Sequence, residues 1–505
     1  MKINQLKIGV IMSYVSMAAS TIISIVYTPV MLRLLGQSEY GLYSLSSSVV
    51  SYLSLLSLGF GSAYIRFYSK YNRNDDTVGV AKLNGLFLIV FSILSGIALL
   101  AGIVLVVNTD LVLGGKLSLF ELSTARILMS FMVVNIVLTF INSVFDSYVT
   151  AHEQYLFQRV LKLITTVLNP FLVLPLLLLG YKSISLTLVS TFLTIASLII
   201  NISYCKKKLH MQFNFNNIDY GLLKEIGYFS FFIFINMIVD QINWSVDKFI
   251  LGKYVGTAAV AIYSVGSQIN TYYMTFSTSI SSVFIPRVNR LVVEGNRGKE
   301  ITELFIKVGR IQFMVLWLII INISLYGQYF IAIWAGEGYA TSYYVTLLLI
   351  IPVTIPLIQN LGIEIQRAMN MHQFRSIVYL LVAVMNIFVS LVLCQYFAEI
   401  GVALGTAISL LIGNGIIMNV YYHKKMKIDI ISFWKNIFKF FPGILTSTAL
   451  SIIVKLQIQG NSLITFIIGI SVTSLLTLIG YWFLGMNTYE KNLIKNVANK
   501  FKRRN

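Results

Sequence analysis

Fourteen apolar stretches, each about long enough to cross a bilayer, divide the 505 residues almost from end to end. A span needs roughly 20 mainly apolar residues, so fourteen take up about 280 of them and leave short connections and two tails. No loop can hold a soluble catalytic domain. The spans are expected near residues 8–30, 41–63, 83–107, 124–147, 163–181, 184–204, 228–247, 257–284, 311–333, 344–364, 377–397, 401–422, 440–456 and 462–485. The fifth contains Pro170 and Pro175, and the thirteenth is short and carries Lys455. The fold class that follows is an all-α polytopic membrane protein.

Charge sets the orientation. With the N-terminus in the cytoplasm, 31 of the 38 Lys and Arg fall on inner loops and tails. The other 7, Arg33, Lys116, Arg126, Lys182, Lys248, Lys253 and Lys455, fall on outer loops or outer helix ends. That asymmetry is a positive-inside signature placing both termini in the cytoplasm. The net charge of +19 would suggest nucleic acid in a soluble protein, but here it faces anionic headgroups, and no nucleic-acid partner is expected. Lys491, Lys495, Lys500, Lys502, Arg503 and Arg504 make a basic tail that suits a headgroup anchor. Lys2 and Lys7 precede an apolar run too long for a signal core, so cleavage is not expected. The four histidines are not at metal-ligand spacing, so neither a metal nor any other cofactor is expected.

Local patterns recur after roughly 216 to 221 residues. Leu35-Gly36 matches Leu251-Gly252, and Gly41–Leu45 matches Ala261–Val265. Arg66 closes span two as Arg287 closes span eight, and Asn142 and Asp146 of span four match Asn360 and Glu364 of span ten. Ala151 and Phe157 match Ala368 and Phe374. Six spans, an even number, separate equivalent points, so the repeats are parallel, and two six-helix lobes are expected to enclose a central cavity. The expected domains are 1–210 (spans one to six), 211–423 (spans seven to twelve), 424–485 (two additional helices) and 486–505 (the basic tail).

Polar side chains inside spans are costly unless they face a cavity or a partner helix. Asn236, Asp240, Asn243 and Asp247 follow spacings of four, three and four along span seven, which puts them on one face. Asp240 is a candidate for proton or cation uptake, with interhelical hydrogen bonding as the structural alternative. Asn135, Thr139, Asn142 and Asp146 repeat the pattern in span four, and span ten supplies Pro352, Pro356, Asn360 and Glu364. The two prolines each remove a backbone donor and mark a candidate hinge. Arg66 and Arg287, with Asp146 and Glu364, are expected to frame an inner mouth. The arginines suit a diphosphate, and the carboxylates would pair with them on closure. No catalytic residue is expected. Gly114-Gly115-Lys116 lacks the upstream glycine and following hydroxyl of a nucleotide-binding loop, so that route to ATP hydrolysis is closed.

The runs LLGQSEYGLYSL (Leu34 to Leu45), SLGFGSAYIRFYSK (Ser57 to Lys70), DKFILGKYVG (Asp247 to Gly256) and IWAGEGYATSYY (Ile333 to Tyr344) carry a further signal. In order and spacing the chain resembles the polysaccharide transporter branch of the multidrug/oligosaccharidyl-lipid/polysaccharide (MOP) exporter superfamily, the Wzx-type O-antigen and capsule flippases. The resemblance implies about 14 transmembrane helices, two six-helix lobes forming a V around a cavity and two further C-terminal helices. It also implies transfer of a polyprenyl-diphosphate-linked oligosaccharide to the outer leaflet of a bacterial plasma membrane, with an ion gradient as a candidate drive. Partners implied are the lipid-linked substrate, membrane lipids and polysaccharide polymerase or assembly proteins. Arg66 is the arginine that carries over most clearly. Basic residues are few at mid-membrane depth, which moves the expected diphosphate site to the inner mouth.

Three other readings stay open on the sequence. A cation-coupled drug antiporter on the same scaffold would suit Asp240. A membrane polymerase or ligase of lipid-linked glycans would need larger outer loops than the roughly sixteen residues found between spans three and four. A scramblase would need no coupling ion. The saccharide, the coupling ion and the oligomeric state are not written in the sequence.

Overall fold

A computed structural model of the protein describes residues 5–72, 76–216, 220–295, 298–369, 371, 373–457 and 462–502. All regular elements among them are helical. In chain order they are α1 (Gln5–Leu35), α2 (Gln37–Val50) with a 3-10 extension (Ser51–Ser57), α3 (Phe60–Asn72), α4 (Thr77–Val107), α5 (Thr109–Leu113), α6 (Leu119–Ala151), α7 (Tyr155–Leu178), α8 (Lys182–Lys207), α9 (Tyr220–Tyr254) and α10 (Thr257–Ser282). There follow α11 (Ile285–Val293), α12 (Lys299–Trp334), α13 (Ser342–Ile358), α14 (Leu361–Ala368), α15 (Gln373–Leu410), a π-helical stretch (Leu411–Ile417) and α16 (Met418–Lys424). The chain ends with α17 (Ile430–Phe438), α18 (Phe441–Gln457), α19 (Leu463–Gly480), a second π-helical stretch (Tyr481–Gly485) and α20 (Thr488–Lys502).

Among the described residues nine helical segments are long and apolar enough to cross a membrane, or ten if α13 and α14, bent by 42°, form one span. The protein is thus multi-pass. Several expected spans are broken or fused. The second is interrupted at Leu58 and Gly59, both with left-handed backbone (φ 51° and 69°), and so divides between α2 and α3. The eleventh and twelfth run together in α15, interrupted at Ala398 (φ 47°, ψ −126°), inside the expected gap at 398–400. Helix α7 continues through Pro170 and Pro175.

The chain forms two compact units, residues 1–264 and 265–505, so α9 packs with the first unit, against α2 and α3. In unit 1, α6 is the central helix, contacted by α4, α8, α2 and α3, and α1 pairs with α7. An aromatic core holds α3, α4 and α6 together: Tyr64, Phe67, Phe87, Phe91 and Phe140 are buried, and Tyr64 meets Phe87 edge to face at 5.0 Å. Tyr64 Oη donates to Asn84 Oδ1 at 2.5 Å, giving the buried hydroxyl the partner it needs.

Unit 2 is built around the 36-residue α12, which contacts α13, α14, α17 and α19. Its core contains Phe305, Phe313, Leu316, Tyr422, Phe433, Phe440 and Tyr481. Lys455, an unusual charge for a span, donates to the Leu325 carbonyl at 2.5 Å and lies 5.8 Å from the Tyr326 ring centroid. Arg310, about three turns into α12, is almost fully buried and forms a two-pronged ion pair with Glu490 of α20, Nε–Oε1 2.6 Å and Nη2–Oε2 2.9 Å. It also donates to the carbonyls of Gly485 and Asn436 and lies 4.2 Å from the Phe440 ring centroid. The tail read as a headgroup anchor therefore begins as a docked element.

Candidate functional site

In unit 1 the polar face of α6 is distributed among several partners. Asn142 Oδ1 accepts from Asn201 Nδ2 of α8 at 2.9 Å. Asp146 is exposed and receives Gln158 Nε2 of α7 on Oδ1 (2.9 Å) and on its own carbonyl (3.0 Å), and Gln158 also reaches Thr150 Oγ1 at 2.7 Å. Arg66 is exposed on α3, which packs against α6, and its guanidinium lies 6.0 Å from the Phe67 ring centroid.

The Asn135 amide oxygen is buried without a hydrogen-bond partner from the protein, beside a cavity of about 260 Å³. Tyr43, Ser47, Ser51 and Ser54 line it from α2 and the 3-10 turn, Thr187 and Ser190 from α8. The hydroxyls recur at three- and four-residue spacing, which keeps them on one face of the helix. From α9, Gln241 Nε2 donates to Ser51 Oγ at 2.5 Å and to Ser245 Oγ at 2.7 Å. The unpartnered amide oxygen and these hydroxyls, set beside Val50, Met132 and Ile136, give an uncharged cavity with one polar side, suited to water or a polyhydroxyl ligand.

Asn243 is half-buried on α9, and Asn236 and Asp240 belong to the same helix, but their side chains lie outside the described residues. Asp247, the last residue of that polar face, is only 2% exposed and accepts a hydrogen bond from Tyr263 Oη of α10. No local pattern pointed to that tyrosine, sixteen positions away.

In unit 2 the equivalent residues occupy equivalent elements. Arg287 is exposed in the first turn of α11, which packs against α14 as α3 packs against α6. Glu364 of α14 pairs with Arg367 one turn on, Oε1–Nη1 2.9 Å. Asn360 Nδ2 donates to Ser281 Oγ at 2.9 Å. Gln359 Nε2 donates to Asn419 Oδ1 at 2.8 Å, the counterpart of the Asn142–Asn201 pair, so in bonding Gln359, one position before the matched Asn360, takes the place of Asn142. Pro352 and Pro356 lie inside α13, and the 42° bend comes after them, at Gln359 and Asn360. The Leu357 carbonyl there accepts from Ser277 Oγ at 3.1 Å. Gln366, fully buried on α14, has both amide atoms unpartnered within the protein. Among the described residues no three His, Cys, Asp or Glu side chains converge as metal ligands.

A family model described as polysaccharide biosynthesis protein matches residues 6–292. The chain belongs to this family. A Shigella flexneri protein named "Putative O-antigen transporter" is 21% identical over 325 residues, 64% of this chain and 75% of that protein. Among solved structures, the lipid II flippase MurJ in an inward closed conformation superposes with a TM-score of 0.74 at 16% identity, covering 94% of this chain and 99% of that one. An inward-facing multidrug resistance MATE family transporter of the MOP superfamily gives 0.62 at 13% identity, covering 84% and 99%. At those identities the solved structures share the fold. The resemblance to the polysaccharide branch of the MOP superfamily, read from the runs around Leu34–Leu45 and Ser57–Lys70, is borne out by the family match.

Proposed function

We propose that this member of the polysaccharide biosynthesis protein family is a flippase that moves a polyprenyl-diphosphate-linked oligosaccharide from the cytoplasmic to the outer leaflet of a bacterial plasma membrane. The observation that carries the reading is the family match combined with a fold shared along 94% of the chain with a protein named as a lipid II flippase. Alternating access around a polar cavity moves the saccharide and diphosphate, while the lipid tail stays in the bilayer. The charge asymmetry of the loops supports cytoplasmic termini.

Arg66 and Arg287 receive the diphosphate at the inner mouth, where exposed guanidinium groups can make paired hydrogen bonds to phosphate oxygens. Asp146 and Glu364 now bond to Gln158 and Arg367, and exchange those partners for the arginines as the mouth closes. Asn142 and Asn360 brace the same helices, Asn236 and Asn243 continue the polar wall, and Asp240 takes up the coupling ion, proton or sodium. Pro352 and Pro356, with the bend that follows them, form the hinge. A polymerase or assembly protein receives the product.

Purified protein in liposomes with a labelled polyprenyl-diphosphate oligosaccharide tests this reading, scored for leaflet exchange with and without a proton or sodium gradient. A cationic dye serves as rival substrate. Dye transport without glycan-lipid movement would replace the flippase reading by the antiporter one.

A further inference from the structure

The end of α3, Asp76 with the start of α4, the C-terminal end of α6 with His152, and residues from segment 209–216 line a cavity of about 370 Å³ in unit 1. That segment leads from α8 towards α9 and is strapped over α4. Asn84 Nδ2 donates to the Gln212 carbonyl at 2.8 Å, and the Asn214 N–H donates to the Ala81 carbonyl at 2.9 Å. Gly85 permits the crossing, because a Cβ there would lie 2.3 Å from the Asn214 carbonyl oxygen. Tyr148 Oη donates to the Leu209 carbonyl at 3.4 Å. The strap thereby sets His210 and Gln212 on the cavity wall with Tyr68, Asn72, Asp76 and His152.

The protonation of His152 follows from its bonds. Its Nδ1 lies 2.9 Å from the Tyr148 carbonyl, which can only accept, so the neutral ring carries its proton on Nδ1. Nε2 then accepts from Tyr68 Oη at 3.0 Å. The ring lies 4.1 Å from that of Tyr148 and 5.0 Å from that of Tyr68, an aromatic wall.

The described lining argues against several ligand classes. Among the described residues it has no Lys or Arg to hold a phosphate, and Asp76, whose Oδ1 accepts from the Gly79 N–H at 2.7 Å, would repel one. Val80, Ala81 and Leu209 are the only aliphatic members among the described residues, too few for an acyl chain or an apolar drug. Aromatic faces beside Asn72, Asp76, His210 and Gln212 offer a ring surface plus mixed donors and acceptors. The volume falls at the small end of the roughly 300–1,000 Å³ of ligand pockets. That combination matches a polyhydroxylated ring.

We propose that this pocket binds a neutral sugar residue. Its natural source is either the glycan of a lipid-linked substrate, which rests on the flippase reading, or a free saccharide. The pocket shares α3 and α6 with Arg66 and Asp146, so a sugar bound here sits on the helices assigned to the inner mouth.

The test uses full-length protein in nanodiscs and a panel of neutral methyl glycosides (gluco, galacto, manno, rhamno and N-acetylglucosamine), read by saturation-transfer difference NMR. Thr77→Trp fills the exposed side of the pocket, and Gln212→Ala removes one polar wall group; neither replaces Arg66. The expected result is binding of at least one glycoside, weakened roughly ten-fold or more by Thr77→Trp and less by Gln212→Ala, with unchanged unfolding temperature. No glycoside binding, or binding indifferent to both variants, overturns the proposal. The liposome assay separates the sources: glycan-lipid exchange lost in Thr77→Trp assigns the lipid-linked glycan, and unaltered exchange assigns a free saccharide. Glycoside binding to a protein that moves no glycan-lipid would sink the flippase reading and leave the pocket standing.

Discussion

Phe157 lies flat on Tyr204, with ring centroids 3.7 Å apart and 8° between the planes, and the same stack recurs in unit 2 between Phe374 and Tyr421, at 4.1 Å and 8°. Each member is displaced by 217 residues from its counterpart. The duplication seen as a weak sequence pattern is thus repeated as side-chain geometry, with each stack joining the start of one helix to the end of another. Helix starts repeat too. Gly36 (φ 76°) precedes α2 and Gly256 (φ 126°) precedes α10, so the structural counterpart of Gly36 is Gly256, correcting the match to Gly252 inside α9.

If the stacks are matched structural joints, Tyr204→Ala and Tyr421→Ala should destabilise their units by similar amounts. Stacking contributes about 0.5–1.5 kcal/mol beyond area burial. Double-mutant cycles with Phe157→Ala and Phe374→Ala, followed by thermal unfolding in detergent, should give coupling energies in that range. Coupling near zero in one unit would deny the equivalence.

The Arg310–Glu490 pair should be costly to break and cheap to replace. Glu490→Ala leaves a buried guanidinium unpaired, a loss of about 3–5 kcal/mol, whereas Arg310→Met with Glu490→Leu should recover most of it. Protease access to α20 provides the second readout: rapid cleavage in Glu490→Ala and protection in the double variant.

Arg66→Ala and Arg287→Ala should each slow glycan-lipid exchange roughly ten-fold or more, as expected for losing one charge-assisted contact, with normal membrane insertion. Lysine should rescue only in part, since it lacks the paired donors of guanidinium. Normal exchange in both alanine variants would return these residues to the role of helix-end charges.

Asp240→Asn should abolish stimulation by a proton or sodium gradient and leave downhill exchange in place. A stimulated rate equal to wild type would remove Asp240 from coupling.

His152 gives the protein a pH dependence of known sign. Burial favours the neutral ring and outweighs the opposing effect of the Tyr148 carbonyl, so its pKa lies below the ordinary 6.5. Its contribution to stability is complete above about pH 6.5 and is lost as the pH falls through and below that value. Unfolding temperatures measured from pH 7.5 down to 5.5 should therefore drop more steeply for wild type than for His152→Gln. Parallel curves would assign the acid sensitivity elsewhere.

The positions of the helices were largely legible because hydrophobicity is a property of residues adjacent in the chain, and a run of the right length needs no distant partner. The spacing of Asn142 and Asp146, one turn apart, likewise put them on one face of α6 before any neighbour was known. Arg66 and Arg287, Asp146 and Glu364 fell on matching helices because the duplicated pattern carried them there.

Partners were not legible, since each depends on which faces meet in space. Arg310 finds Glu490 across 180 positions, Asp247 finds Tyr263, and Asp146 finds Gln158, without a local signal in any case. The breaks at Leu58–Gly59 and at Gln359–Asn360 fall inside stretches whose apolar length reads as one span each; Gly59, Gln359 and Asn360 stand there in the sequence, but apolar length does not say where a helix breaks. A bilayer demands apolar length along the chain and so writes the spans into composition. The pairing of polar groups within the membrane demands complementary neighbours, and packing alone supplies them.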